Sequence, residues 1–459
     1  MIIVYDIITI LYKQGVIMQI KLSDHFSYKR LLRFVFPSII MMIFTSVYGV
    51  VDGLFVSNFV GKTAFAAVNF IMPLIMMLSA IGFMIGVGGS ALISKTLGEG
   101  DREIANRYFS LLVYSVIIAG IVISVLGEIF IEPVAFALGA RGEMLNNCVL
   151  YARISFASLT MFMLQNVFQS IFVTAEKPKI GLGVTLTAGC INIFMDFLLI
   201  GVFQFGIAGA AIATVTSETF AGLFPIIYFV RKNRSLLKLG KTKFMGRVLL
   251  KACTNGSSEL MTNVSMSLVN MLYNIQLMKL AGEDGVAAYG VIMYVNFIFI
   301  AIFLGYSIGS APIIGYNYGA QNNNELKNML KKSLTIISAF AILLTLIAQS
   351  VSYPLTASFV GYDKGLFELT HNGFMLFSIS YLLCGFNIFG SSFFTALGNG
   401  GISATISFSR SLLFQIISII VLPMILGING IWLSVVAAES MSLIVTTVFL
   451  ITQRKKYNY

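Results

Sequence analysis

The sequence predicts an all-α integral membrane protein of twelve spans, built as two six-helix bundles related by a pseudo-two-fold axis along the membrane normal. Three observations predict it. Of 459 residues, 58% are hydrophobic and only 11% charged, with a mean hydropathy of +0.90, too little polar surface to meet water on all sides. The apolar runs are about 20 residues or longer and hold Gly and Pro, which fits membrane helices rather than the alternating ten-residue strands of a barrel. The second half of the chain also repeats the first.

The expected spans are 35–60, 66–94, 108–130, 151–174, 181–203, 207–230, 256–280, 286–314, 330–355, 372–396, 402–426 and 429–451. Each is long enough for a ~30 Å hydrocarbon core. They divide the chain into a cytoplasmic lead-in (1–30), a first bundle (31–235), a basic linker (236–255), a second bundle (256–452) and a tail (453–459). Met18 opens a second start, MQIKLSDHFSYKRLLRF, a short basic amphipathic lead-in. Residues 1–17 therefore read as an upstream-start artefact or an extension. No small-residue cleavage site follows the apolar beginning, as a signal peptide would require.

Orientation follows from the basic residues. With both termini cytoplasmic, the tails, the even-numbered loops and the adjoining first turn of span nine hold 24 of the 30 Lys and Arg, eight of them between Arg231 and Lys251. The opposite loops hold only Lys62, Arg141, Lys279 and Lys364. Such asymmetry requires an even number of spans with both ends inside a cytoplasmic membrane. It also accounts for the net charge of +11 without a nucleic-acid partner, since the charge sits between spans and not on one soluble face. Cys148, Cys190, Cys253 and Cys384 are scattered and read as small buried hydrophobes. His25 and His371 show no ligand spacing, so neither a metal site nor a cofactor is expected.

At a constant offset of 221 residues, Gly61 meets Gly282, Gly88 meets Gly309, Gly98 meets Gly319, Gly206 meets Gly427 and Glu218 meets Glu439. An even number of spans in each half makes both enter from the same side, so the axis runs along the membrane normal. The repeat is also a control. Asp52 in span one falls opposite Tyr273, and Asp196 in span five opposite Ile417. A carboxylate inside a span costs roughly 2.5–3.5 kcal/mol on insertion scales and is a functional-site hypothesis by default; these two belong to the first half alone.

Counted at 1.5 Å per residue, Asp52, Asp196 and Thr214 reach similar depths, ~10–12 Å below the outer boundary. Asn192 lies four residues before Asp196, on the same helix face. Carboxylate, amide and hydroxyl oxygens at one depth suit a small hard cation, or else a proton held by one of the two carboxylates. The alternative is polar helix–helix glue.

Other residues keep two readings. Arg410 in span eleven is a snorkelling or structural group, or a gating one. Glu218 and Glu439, symmetric and mid-span, are buried hydrogen-bonding locks or relay groups. Phe70, Met72, Tyr273, Met293 and Tyr294 are candidates for the adaptable apolar wall of a cavity for amphipathic small molecules. The small-x-x-x-small pairs Gly49 with Gly53, Gly82 with Gly86 and Gly305 with Gly309 predict close helix contacts. No Walker A sequence is present, and no nucleophile constellation points to an enzyme.

Together, SVYGVVDGLFVSNFVG with AFAAVNFIMP, GARGE, INIFMDFLLI, GIAGAAIATVTSE, NGSSEL and GINGIW resemble the MATE family of multidrug and toxic compound extrusion transporters, in its DinF or MepA-like branch. The resemblance runs from about residue 30 to 452. It implies an antiporter that expels amphipathic, commonly cationic compounds in exchange for Na⁺ or H⁺; the protein is expected to work as a monomer. It also implies a first-bundle cation site at Asp52, Asn192, Asp196 and Thr214, with Asn166 and Gln169 as polar neighbours. The chain departs from some relatives: Ile308 stands where an acid occurs in span eight, span ten has no acid, and Glu259 lies near the cytoplasmic end of span seven. A second-half cation site is therefore not expected, and substrate cations would rely on the first-half aspartates or on aromatic faces. A lipid-linked precursor flippase of the same broader superfamily is the alternative; its cavity would show more inward Arg and Lys.

Overall fold

The computed structural model describes residues 20–459, and every regular element among them is helical. The 1–17 extension lies outside the described residues. Helix α1, Tyr28–Phe55, starts where the Ser27 side chain accepts from the Arg30 N–H, satisfying an orphan donor of the first turn, and runs on as a π-helical turn, Val56–Val60. Then come α2 (Lys62–Gly98), α3 (Arg102–Leu138), α4 (Gly142–Thr174) and α5 (Pro178–Asp196), the last followed by a π-helical stretch, Phe197–Val202. Helix α6 (Gly206–Val230) completes the first bundle, and within the basic linker lies the short α7 (Gly246–Asn255).

The second bundle comprises α8 (Ser257–Gly319), α9 (Asn323–Val360), α10 (Lys364–Ser378), α11 (Tyr381–Ala396), α12 (Gly400–Phe408), a π-helical turn at Ser409–Leu413, α13 (Phe414–Leu426) and α14 (Ile428–Thr452); a last turn, α15, is Arg454–Tyr457. Ten described helices are long and apolar enough to cross a membrane, and the α10–α11 pair, bent by 48°, makes eleven. The 63-residue α8 breaks at Gly282 and supplies two spans, which brings the number to the expected twelve. Span ten begins earlier than 372 and is not straight: Ser378 and Ser380 flank the break, and Ser378 Oγ bonds the Met375 carbonyl at 2.9 Å, a serine-containing kink.

The repeat is visible in the backbone. Gly61 (φ 115) and Gly282 (φ 62) turn the first hairpin of each half, and Gly206 (φ 58) and Gly427 (φ 57) turn the last. Each pair is equivalent in the repeat and takes a left-handed φ that a Cβ disfavours. Two buried cores result, one centred on each half, with the start of α1 (Leu31, Phe34, Val35 and Ile39) packed into that of the second.

The halves are pressed together at the end that bears the described termini and the basic linker. A side chain on Gly98 would run into the backbone of Tyr316 and Ala320, and one on Gly319 into that of Lys95. Lys95 and Tyr316 are themselves equivalent positions. One contact is thus made twice about the axis, as in an isologous interface. Gly305 and Gly309 seat α8 against Ile39 and Val35 of α1 in the same way, and Gly82 and Gly86 seat α2 against α4. Gly49 meets nothing within 4 Å and Gly53 only the Phe65 ring at 3.8 Å, so that pair makes no close backbone contact.

The lead-in is no detached segment. Leu22 and Phe26 are buried in the core of the second bundle. The Leu22 N–H donates to Glu176 Oε1 at 2.7 Å, in the α4–α5 turn of the first bundle. The Phe26 N–H donates to Glu325 Oε1 at 2.9 Å, and His25 Nδ1 lies 2.6 Å from Glu325 Oε2, at the start of α9. Residues 20–27 therefore strap one bundle to the other. The four cysteines are all free; Cys148 and Cys384 are buried, whereas Cys190 is exposed on the outer surface of α5, contrary to the expectation of burial, because an apolar span hides a thiol from water by lipid as well as by protein.

Candidate functional site

Asp52 sits in the last turn of α1, just before its π-helical turn, and Asp196 is the last residue of α5 before the next π-helical stretch. The two carboxyl groups lie close enough to interact electrostatically. π turns mark functional sites often, and the third one contains Arg410. All three flank or include a charge inside a span.

Asp196 is 0% exposed and Asn192, one turn earlier, is buried with it. Asp52 Oδ1, both Asp196 carboxyl oxygens, Asn192 Oδ1 and Thr214 Oγ1 are shielded and have no protein hydrogen-bond partner. Tyr151 of α4 stands beside the group: its hydroxyl donates to Met72 Sδ at 3.8 Å, with Thr214, Asp52, Asp196 and Glu218 in electrostatic reach. Tyr48, four residues before Asp52, meets Gln165. Buried polar atoms are nearly always partnered, so five orphaned oxygens from three helices form a donor set suited to a hard cation. Two carboxyls hydrogen-bond to one another only with a proton between them, and a cation would need the same lone pairs. The donor set thus suits a proton or a small cation, but not both at once.

Asn166 and Gln169 are buried on α4, with Asn166 Nδ2 and Gln169 Oε1 also unpartnered. Their surroundings gain meaning from the repeat, since Asn166 is equivalent to Asn387. In the second bundle Asn387 Nδ2 donates to Glu439 Oε2 at 2.7 Å, Thr446 Oγ1 donates to Asn387 Oδ1 at 2.9 Å and Arg410 Nε donates to Glu439 Oε1 at 2.8 Å. In the first, Glu218 instead accepts from Ser158 Oγ at 2.6 Å. The second bundle is cross-linked where the first is left with unsatisfied groups.

A cavity of about 370 Å³ opens between the halves, walled mainly by α8 together with α1, α2, α11, α13, α14 and the π-helical turn at Ser409–Leu413. Tyr273 and Met293 line it, as do Glu259, Asn270, Arg410 and Gln415. Phe70 and Met72 pack instead against the first-bundle core, Met72 touching Tyr151 at 3.8 Å, and Tyr294 is exposed outside the lining. Neither aspartate lines the cavity; α1 reaches it through Met42 and Ser46. Glu259, which the sequence places near a span end, faces into it within electrostatic reach of Arg410. Tyr273, standing opposite Asp52 in the repeat, donates to Gln415 Oε1 at 3.2 Å and stacks on Tyr289 with centroids 4.8 Å apart.

Sequence reasoning missed Tyr48, Tyr151, Gln165, Gln415 and Asn387. The spacing of Tyr48 to Asp52 and the offset from Asn166 to Asn387 were the available signals. No spacing pointed to Tyr151. Among the described residues no group of three His, Cys, Asp or Glu has metal-binding geometry.

The family model described as MatE matches residues 37–198 and again 260–421, one match in each bundle. The multidrug export protein MepA of Staphylococcus haemolyticus (strain JCSC1435) is 30% identical over 325 residues, 70% of this chain and 71% of that protein. MepA of Staphylococcus aureus (strain MRSA252) is 24% identical over 417 residues, 90% of this chain and 91% of that one. Among solved structures, a MATE crystallised in complex with MaL6 superposes with a TM-score of 0.90 at 21% identity, over 95% of this chain and 98% of that chain.

Proposed function

Because the chain belongs to the MatE family, we propose that this multi-pass membrane protein is a multidrug exporter, an antiporter that expels amphipathic, cationic compounds from the cytoplasm in exchange for Na⁺ or H⁺. It is a transporter and not an enzyme. One observation supports coupling above the others: a buried carboxyl pair with unpartnered oxygens, Asp52 and Asp196, confined to one half and separate from the cavity. The cavity is walled by aromatic, Met and amide side chains, with Glu259 to receive a cation. Working as a monomer with both termini cytoplasmic, it would alternate access by rocking one bundle against the other. The ion enters from outside, repacks α1, α5 and α6, and favours release of the drug, because the two ligands bias one two-state element in opposite directions.

Efflux of a fluorescent organic cation from reconstituted vesicles, driven separately by a Na⁺ and a pH gradient, tests this. Asp52→Asn and Asp196→Asn should each abolish gradient-driven efflux while leaving the protein folded. Full coupled efflux in both variants sinks the site assignment. Gradient-independent lipid scrambling would favour a flippase, although Arg410, the one basic residue of the cavity wall, is occupied by Glu439.

A further inference from the structure

Where the halves meet at the sealed end, a second pocket of about 150 Å³ is lined by Lys95, Lys251 and Lys456 together with Asn255, Tyr318 and Tyr457. The three lysines come from three parts of the chain: the last turn of α2, the linker helix α7 and the terminal turn α15. Like charges so gathered repel, and little neutralises them. Lys95 Nζ is 3.7 Å from Glu99 Oε1 and 5.2 Å from the Tyr318 ring centroid. Lys456 Nζ is 5.1 Å from the Tyr457 centroid. Lys251 has no ion pair among the described residues.

The walls are fixed. Asn255, 4% exposed, donates from Nδ2 to the Thr395 carbonyl at 2.8 Å and keeps Oδ1 without a partner. Tyr457 is held by Asn399 Nδ2 at 2.8 Å. The pocket is smaller than a drug site and has room for one phosphate-sized group. On and next to α7, which supplies Lys251, Phe244 is 80% and Leu250 65% exposed, beside Arg247 and Lys251 in the sequence. A basic amphipathic helix with bare apolar side chains lies in a bilayer interface, and basic pockets between membrane helices on the cytoplasmic side take anionic head groups.

We propose that this three-lysine pocket binds a phosphate group, from an anionic lipid head or a free phosphate compound, and that the bound phosphate pins the first bundle, the linker and the C-terminal turn together in the sealed arrangement. Lysines serve such a ligand as point charges, and Asn255 Oδ1 accepts from a hydroxyl it bears. Separating the bundles at this end would pull Lys95 from Lys456 and dismantle the site.

The test is thermal unfolding of the purified full-length protein at constant ionic strength, titrated with phosphatidylglycerol micelles, phosphatidylcholine micelles or sodium pyrophosphate. Phosphatidylglycerol should stabilise saturably, with half-saturation at least tenfold weaker in the Lys251→Gln/Lys456→Gln variant and unchanged in a Lys327→Gln/Lys331→Gln control. Stabilisation by pyrophosphate, lost in the same pocket variant, would identify a free phosphate as the ligand source. Equal half-saturation in the pocket variant and the parent, or no response to any phosphate probe, overturns the proposal. Should the pocket variant fail to fold, native mass spectrometry of the parent decides: selective retention of phosphatidylglycerol supports the site, and equal retention of phosphatidylcholine overturns it.

Discussion

Arg410 donates from Nε to Glu439 Oε1 at 2.8 Å, joining the π-helical turn before α13 to the middle of α14. Both charges are inside the span region, and the remaining Glu439 oxygen is taken by Asn387. Removing one partner leaves the other charge buried and uncompensated, which costs about 3–5 kcal/mol. Arg410→Ala and Glu439→Ala should each lower the unfolding midpoint in detergent strongly. The Arg410→Met/Glu439→Leu double variant should lose much less than the sum. Additive losses would mean that the pair is not coupled.

Tyr151 holds its hydroxyl next to Thr214 and within electrostatic reach of both aspartates. Tyr151→Phe removes one hydrogen-bonding group worth about 1 kcal/mol and keeps the ring. The ion concentration for half-maximal efflux should rise about fivefold with no change in unfolding midpoint. An unaltered half-saturation would place Tyr151 outside the ion's shell.

Gly98 and Gly319 form the twofold contact that closes one end. Gly319→Leu cannot keep that approach, so the closed form should become less populated. Cys253, half-buried in α7 beside this seam, reports it: burial pushes its thiol up and keeps the reactive thiolate scarce. In a Cys190→Ser background, maleimide labelling of Cys253 should be slow in the parent and several-fold faster in Gly319→Leu. Equal rates would show that the seam does not govern access.

The strap at residues 20–27 depends on Glu325, which accepts from the Phe26 N–H and meets His25. Glu325→Ala leaves both groups without that acceptor. Trypsin should then cut at Lys21 or Lys29 faster in the folded protein, as read by mass spectrometry, whereas cleavage after Lys243 in the exposed linker should stay constant. Unchanged cleavage at both lead-in sites would assign the strap's attachment to Glu176 instead.

The twelve spans and the repeat were legible because hydropathy and glycine position are written one residue at a time, and Gly61 with Gly282 mark the same turn in both halves. Asp52 and Asp196 were legible for a related reason: a carboxylate in an apolar run is conspicuous wherever it stands. Partnerships were not. That Arg410 would find Glu439, or that Glu325 would hold the lead-in, depends on how helices distant in sequence rotate against each other. The cavity wall was the hardest part, because a Met or Phe on a membrane helix looks the same whether it faces drug, lipid or protein, and Phe70 and Met72 turn inward to the bundle core. Glu259 was undervalued because distance from a span end says nothing about which way a side chain points.

The three π-helical turns have one further consequence. A π turn adds one residue to its helix and so rotates the helix face beyond it by about 100° relative to an uninterrupted α-helix. Each turn flanks or contains one charge inside a span, Asp52, Asp196 or Arg410. Deleting a single residue from any of them would turn the helix on one side of the charge away from its present neighbours.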